Sequence, residues 1–165
     1  MKIIIAFFLT ALMFVGCSSK ETTDTPAEAK LVLLKTLSLN LNDQNEKAYT
    51  LAPTTSKVIF AFSKDVGHTC NDFFATKSAT YLEDNNAVFV ADVSSAPSLI
   101  RSMFILPGLK EFKHKVLVLD DESVALSYKK NQDVEKIVVV EVENGIIKNV
   151  KSISTVVELE KELKN

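Results

Sequence analysis

Apolar residues along this chain recur with three different spacings, and each predicts a different element. Leu37, Leu39 and Leu41 alternate with Ser38, Asn40 and Asn42, and a period of two marks a strand with one buried face. Residues 42–47 are polar enough to turn, 48–51 can return as the partner strand, and Pro53 closes the hairpin. Four short runs, 57–62, 87–91, 115–119 and 137–142, are apolar almost throughout, as in strands covered on both faces. Helical spacing fills the gaps. Phe73, Phe74, Tyr81 and Leu82 predict a helix over 70–82, entered from a loop at 63–69. Ser94 and Ser95 offer caps, with Pro97 in the first turn, for a helix over 98–106 that stops at Pro107-Gly108. Asp120 or Asp121 can cap a helix reaching about Lys129. Asn144-Gly145 joins 137–142 to 146–150 with the strongest short hairpin signal. Thr155 and Glu158 form a capping box, and Val156, Leu159 and Leu163 make one apolar stripe to the end.

The resulting order is a hairpin, three strand–helix units, a second hairpin and a last helix. Alternating strands and helices predict an α/β fold with parallel members in its sheet. The second hairpin adds an antiparallel edge, so the expected architecture is a central mixed sheet with helices on both faces and an extra N-terminal hairpin.

The first residues follow a different rule. Lys2 precedes an uncharged run, Ile3 to Gly16, which falls short of the roughly 20 apolar residues that span a bilayer. A basic residue, a short apolar stretch and a small residue before the cleavage point describe an export signal. Phe14-Val15-Gly16-Cys17 resembles the lipobox of bacterial lipoproteins, with Phe in place of the usual Leu at its first position. The resemblance implies cleavage after Gly16 and lipid attachment at Cys17, which anchors the mature chain to a membrane. Residues 18–30 are rich in Ser, Thr, Pro and charge, the composition of a tether. The expected organisation is a signal at 1–16, lipidated Cys17 and tether at 17–30, and one domain at 31–165. By resemblance to enterobacterial sorting, Ser18 after the lipid Cys implies the outer membrane, facing the periplasm, with the inner membrane as the alternative.

Charge and cysteine content narrow the chemistry. Formal net charge is −2, and it becomes −3 once Lys2 leaves with the signal; with no basic cluster, nucleic acid is not an expected partner. Of two cysteines, Cys17 carries lipid, so Cys70 has no internal disulfide partner. The chain has no glycine-rich phosphate loop, HExxH or CxxC motif, and no cofactor is expected.

The segment VIFAFSKDVGHTC (58–70) is similar to the peroxiredoxin pattern of an apolar strand, Lys-Asp, and Thr-Pro-x-Cys at a helix start. VLDDESVALSY (118–128) looks like the Asp, turn and Tyr-ending helix of alkyl hydroperoxide reductases and membrane-tethered thioredoxins, and VENGI (142–146) like their edge hairpin. Together these cover about 37–164, and their order implies a thioredoxin-like fold. The resemblance also implies that Cys70 is the nucleophile position, at the helix start. Gly67 and His68 replace the family's Thr and Pro, and its Arg has no counterpart, since the only arginine is Arg101. Lys136 is the nearest cationic substitute, a point charge instead of a planar fork.

Cys70 is therefore either a reactive thiol or a packed core residue. His68 and Cys70 alone make no metal site, His114 lies far off in sequence, and Asp120-Asp121-Glu122 reads as a helix cap; no metal is expected. The apolar helix at 98–106, with Leu99, Ile100, Met103 and Phe104, is expected to pack on the sheet, or else to form a partner surface. The reading that fits best is a lipid-anchored envelope protein with a degenerate thioredoxin-like domain and a non-catalytic accessory or binding role, with another envelope protein as possible partner. The alternative is a single-Cys thiol peroxidase or redox sensor using Cys70. Cys17→Ala should abolish palmitate labelling and leave an unprocessed precursor; unchanged mass and membrane partition in that variant would refute the lipobox.

Overall fold

The computed structural model describes residues 28–165. The expected export signal, Cys17 and the expected tether up to residue 27 lie outside the described residues. The domain is built on one six-stranded sheet. Strands β1 (Asn42–Asp43), β2 (Lys57–Ala61), β3 (Ala87–Asp92), β4 (Leu117–Leu119), β5 (Ile137–Glu143) and β6 (Ile146–Ile153) lie side by side in the order β1-β4-β3-β2-β5-β6. β2, β3 and β4 are parallel; β5 runs antiparallel to β2, β6 to β5, and β1 to β4.

The apolar runs sit where their composition requires. Alternate residues of β2 point to opposite faces, and Val58, Ile59 and Phe60 are all fully buried. Ile59, Phe89, Val139 and Val118 face α1 (Lys64–Ala75), α2 (Tyr81–Asp84) and α6 (Val156–Lys164), which supply Val66, Phe74, Leu82 and Leu159. Phe60, Val90, Val138 and Leu117 face α5 (Glu122–Lys129) and the N-terminal segment, which supply Tyr128, Leu37, Leu39 and Leu41. Helices thus cover both faces, as expected.

Local signals hold at most boundaries. The Asp121 side chain accepts from Val124 N at 2.9 Å, and the Thr155–Glu158 box closes in both directions. Asn144 (φ 51°) and Gly145 (φ 77°) turn β5 into β6, both in the left-handed region that Asn and Gly tolerate best.

Three expectations change. Leu37, Leu39 and Leu41 are buried in alternation, but the hairpin is small: Asn42 bridges Ala48 and Tyr49 N donates to Leu41 O, with no ladder over 37–41. The helix expected over 70–82 starts at Lys64 and is broken after Ala75. Ser63 is its N-cap, accepting from Val66 N, and Asp65 supplies the negative charge that favours a first turn. The helix expected to stop at Pro107 continues to Lys110, as α3 (Ser98–Ile100), a π-helical segment (Arg101–Ile105) and α4 (Leu106–Lys110). Leu106 N donates to Arg101 O five residues back, and this widened turn passes the chain into a segment where Pro107, in the first turn of α4, has no N–H to lose.

Phe60 is fully buried and stacks on Phe62 and Tyr128, each with centroids 5.3 Å away. Phe60→Ala should destabilise the domain by about 3–5 kcal/mol, read from urea unfolding; a loss below about 1 kcal/mol would show that this face carries little of the core.

Candidate functional site

In an open sheet with parallel strands, chemistry collects where those strands end and the next helices begin. Here that end carries Ser63 before α1, the 92–97 loop before α3, and Asp120-Asp121 before α5. Cys70 does not reach it. Because α1 begins at Lys64, Cys70 lies in the second helical turn, not at the helix start. Its side chain points inward with Val66 and Phe74, it is fully buried, and Phe73 packs on the same cluster. Burial pushes the thiol up to about 12, and no cation enters as an opposing cause. The thiol is protonated at physiological pH. Lys136 stands half-buried before β5, paired with Asp133 at 3.2 Å. Gly67 lies within the helix, and His68 and Thr69 are exposed on it, with Thr69 Oγ1 donating to Asp65 O at 2.9 Å.

The buried polar group beside Cys70 was not legible from the sequence. His114 is 1% exposed, ringed by Phe74, Phe89 and Phe112, and its Nε2 lies 3.0 Å from Asn71 Oδ1. Gln44 Nε2 donates to His114 O at 2.8 Å, and Gln44 Oε1 accepts from Val116 N at 2.9 Å. This network ties the small N-terminal hairpin to α1 and β4. His114 Nδ1 is buried without a partner. Burial therefore holds the imidazole down at about 4. Among the described residues no group of three His, Cys, Asp or Glu is placed to hold a metal ion. Asp121 acts as the cap; its hydrogen bonds from Ser123 and the Val124 N–H hold the carboxyl below its ordinary range.

The helix at 98–106 departs most from expectation. It does not bury its apolar side chains on the sheet. Ile105 and Leu106 pack against the core, but Leu99 (63% exposed), Ile100 (42%), Met103 (58%) and Phe104 (65%) form an open face. Arg101 fixes that face: its Nη1 donates to Ser94 O at 3.0 Å and to Asp120 O at 2.7 Å, joining the loops after β3 and β4. The π-helical geometry falls on the same residues, and such segments recur at functional positions. Beside it lies a cleft of about 170 Å³ whose lining includes Leu106, Asp43, Glu46, Asp120 and Asp121. Apolar helix face, latch and acidic cleft form the one surface at this end of the sheet suited to holding another molecule among the described residues.

No protein-family model matches the chain, and no curated protein matches it by sequence. Solved structures do match by fold. The pneumococcal exposed lipoprotein thioredoxin of Streptococcus pneumoniae aligns with a TM-score of 0.51 and 14% identity, over 76% of this chain and 97% of that one. A proposed protein disulfide isomerase from Bacteroides thetaiotaomicron aligns with a TM-score of 0.50 and 11% identity, over 81% of this chain and 87% of that one. The domain is thioredoxin-like: a mixed α/β sheet flanked by helices in that fold's arrangement.

His114 generates a pH prediction. Its folded value, about 4, lies below the ordinary 6.5, so the unfolded chain takes up the proton first as pH falls. The contribution is complete above 6.5, is lost between 6.5 and 4, and changes no further below. One pKa unit corresponds to about 1.4 kcal/mol, so the loss should approach 3 kcal/mol. Unfolding free energies at pH 7 and pH 4 should differ by about that much more in the native protein than in His114→Leu; equal slopes would show that His114 does not titrate in this way.

Proposed function

We propose that this protein is a lipid-anchored component of the bacterial cell envelope whose thioredoxin-like domain binds a partner polypeptide and does not turn over a thiol substrate. The observation that carries the reading is a reversal of the usual roles: the one cysteine of the domain is sealed in the core, while four large apolar side chains stand open at the end of the sheet. An exposed face of this kind on a soluble domain marks an interaction site. The acidic lining of the adjoining cleft favours a segment that is apolar and basic. The lipobox at Gly16-Cys17 supports anchoring, Ser18 supports the outer membrane facing the periplasm, and a solved structure of the same fold is itself a lipoprotein. Among the described residues no helix is long and apolar enough to cross a membrane.

The peroxidase or redox-sensor alternative requires Cys70 to meet peroxide as a thiolate. Its burial, its raised pKa and the engagement of Lys136 with Asp133 weigh against that role. Such a reaction also needs groups that orient the O–O bond, and the positions taken by Gly67 and His68 offer neither the family's hydroxyl nor its Pro.

Two variants separate the readings in a strain lacking the native copy. Cys70→Ser should restore the wild-type phenotype and leave peroxide consumption by the purified protein unchanged. Met103→Asp combined with Phe104→Asp should unfold within about 0.5 kcal/mol of wild type, as exposed substitutions do, yet fail to complement. Peroxide turnover lost in Cys70→Ser, with full complementation by the double aspartate variant, would reverse the assignment.

A further inference from the structure

Residues 32–35 form a β-turn closed by Lys35 N donating to Val32 O at 3.2 Å, with Leu33 and Leu34 at its apex. Both apex side chains are open, Leu33 at 55% and Leu34 at 76%, beside exposed Val32. Leu34 has φ 64°. A turn of this hand calls for Gly or Asn at that position. Three of the five described non-glycine residues with positive φ are Asn and one is Glu46; Leu34 alone is apolar.

The turn does not sway. Leu34 N donates to Ile147 O at 2.8 Å, Ile147 N to Lys35 O at 3.0 Å, and Leu37 N to Gly145 O at 2.8 Å, so the outer edge of β6 holds it. Two leucines are therefore presented to solvent on a fixed support. Lys35, exposed, follows them, while the Lys30 ammonium lies 4.8 Å over the Tyr128 ring, and Lys148, paired with Glu143, lies on the supporting strand.

Where the chain comes from selects the occupant. Between Cys17 and Leu31 the backbone can extend at most about 50 Å, and this turn follows directly on Lys30 and Leu31, where the chain joins the domain through Ser127 O and the core. We propose that the Leu33-Leu34 turn is a membrane-docking wedge. In this arrangement the two leucines enter the boundary between headgroups and acyl chains of an anionic phospholipid bilayer, and Lys35 meets the phosphates. A lipidated residue and an apolar, basic patch that enter the same bilayer reinforce one another. The inference rests on the lipoprotein reading for its biological setting, but the contact itself can be measured without lipid on the chain.

The protein contains no tryptophan, so Leu33→Trp places a single reporter at the apex. The mature chain from residue 17, carrying Cys17→Ser and Leu33→Trp, is mixed with vesicles of phosphatidylcholine and phosphatidylglycerol. A blue shift of emission, quenched by bromine-labelled acyl chains and weakened by salt, is the expected result. In the Cys17→Ser chain with Leu33 retained, Leu34→Gly, which suits the left-handed turn and keeps the fold, should lower vesicle co-sedimentation about tenfold. Lys35→Glu should lower it about fivefold or more. Unshifted emission at millimolar lipid would overturn the proposal. So would a blue shift that follows protein concentration without lipid, which assigns the turn to self-association. Palmitate labelling of the full chain is scored separately: a chain that takes no lipid but shifts on vesicles keeps the wedge and loses the lipoprotein reading, and a lipidated chain that does not shift does the reverse.

Discussion

Burial of β2 on both sides is the constraint from which the rest of the structure follows. Its residues at 58–60 have no accessible surface, and a strand apolar on both faces has no stable place except between two layers. One layer must then come from α1, α2 and α6, and the other from α5 and the N-terminal leucines. The N-terminal segment is part of this requirement. α5 contributes Ala125 and Tyr128 to a face several strands wide, and Leu31, Leu37, Leu39 and Leu41 fill what one short helix leaves open. The Tyr128 hydroxyl donates to Ser38 O, which fixes that segment to the helix it accompanies.

The same packing seals Cys70 in the core. α1 must present Val66, Cys70 and Phe74 to the sheet, at positions spaced by four. A helix that begins one turn later would bring a cysteine at 70 to its N-terminus, where backbone N–H groups favour the thiolate. Beginning at Lys64, it places the sulfur among apolar side chains that favour the thiol, and the two effects act with opposite signs on reactivity. The register of one helix on one strand thus sets the burial of Cys70, the observation on which the functional reading rests.

Much of this fold was legible because its signals are local. The four apolar runs, the Asn144-Gly145 turn, the Asp121 cap and the Thr155–Glu158 box each carry their physics within a few residues. The start of α1 was harder to read. Residues 63–69 are mostly polar with one glycine, the composition of a loop, and the family pattern sets its cysteine at a helix start. The exposure of Leu99, Ile100, Met103 and Phe104 was illegible for a different reason. Composition states that a helix is apolar, but only the tertiary layout states which sheet surface remains for it, and here Ile105, Leu106 and Leu109 already meet the core. His114 was illegible in the same sense, since its partners Asn71 and Gln44 lie 43 and 70 residues away.

The two open apolar surfaces are related through the sheet. Arg101 ties the α3 face to Ser94 and Asp120, beyond the carboxyl ends of β3 and β4. The leucine turn is held by Gly145 and Ile147, where Ile147 opposes Val142, and Val142 N donates to Ser56 O just before β2 starts. One surface lies where the parallel strands end, and the other lies beside the sheet edge farthest from β4, where β2 begins. A domain seated on a bilayer through the leucine turn would therefore direct the α3 face and its acidic cleft away from the lipid. In that orientation the cleft acidity would not oppose an anionic membrane. Had both apolar surfaces shared one end, a membrane and a partner would compete for it; their separation across the sheet would let a single small domain hold both at once.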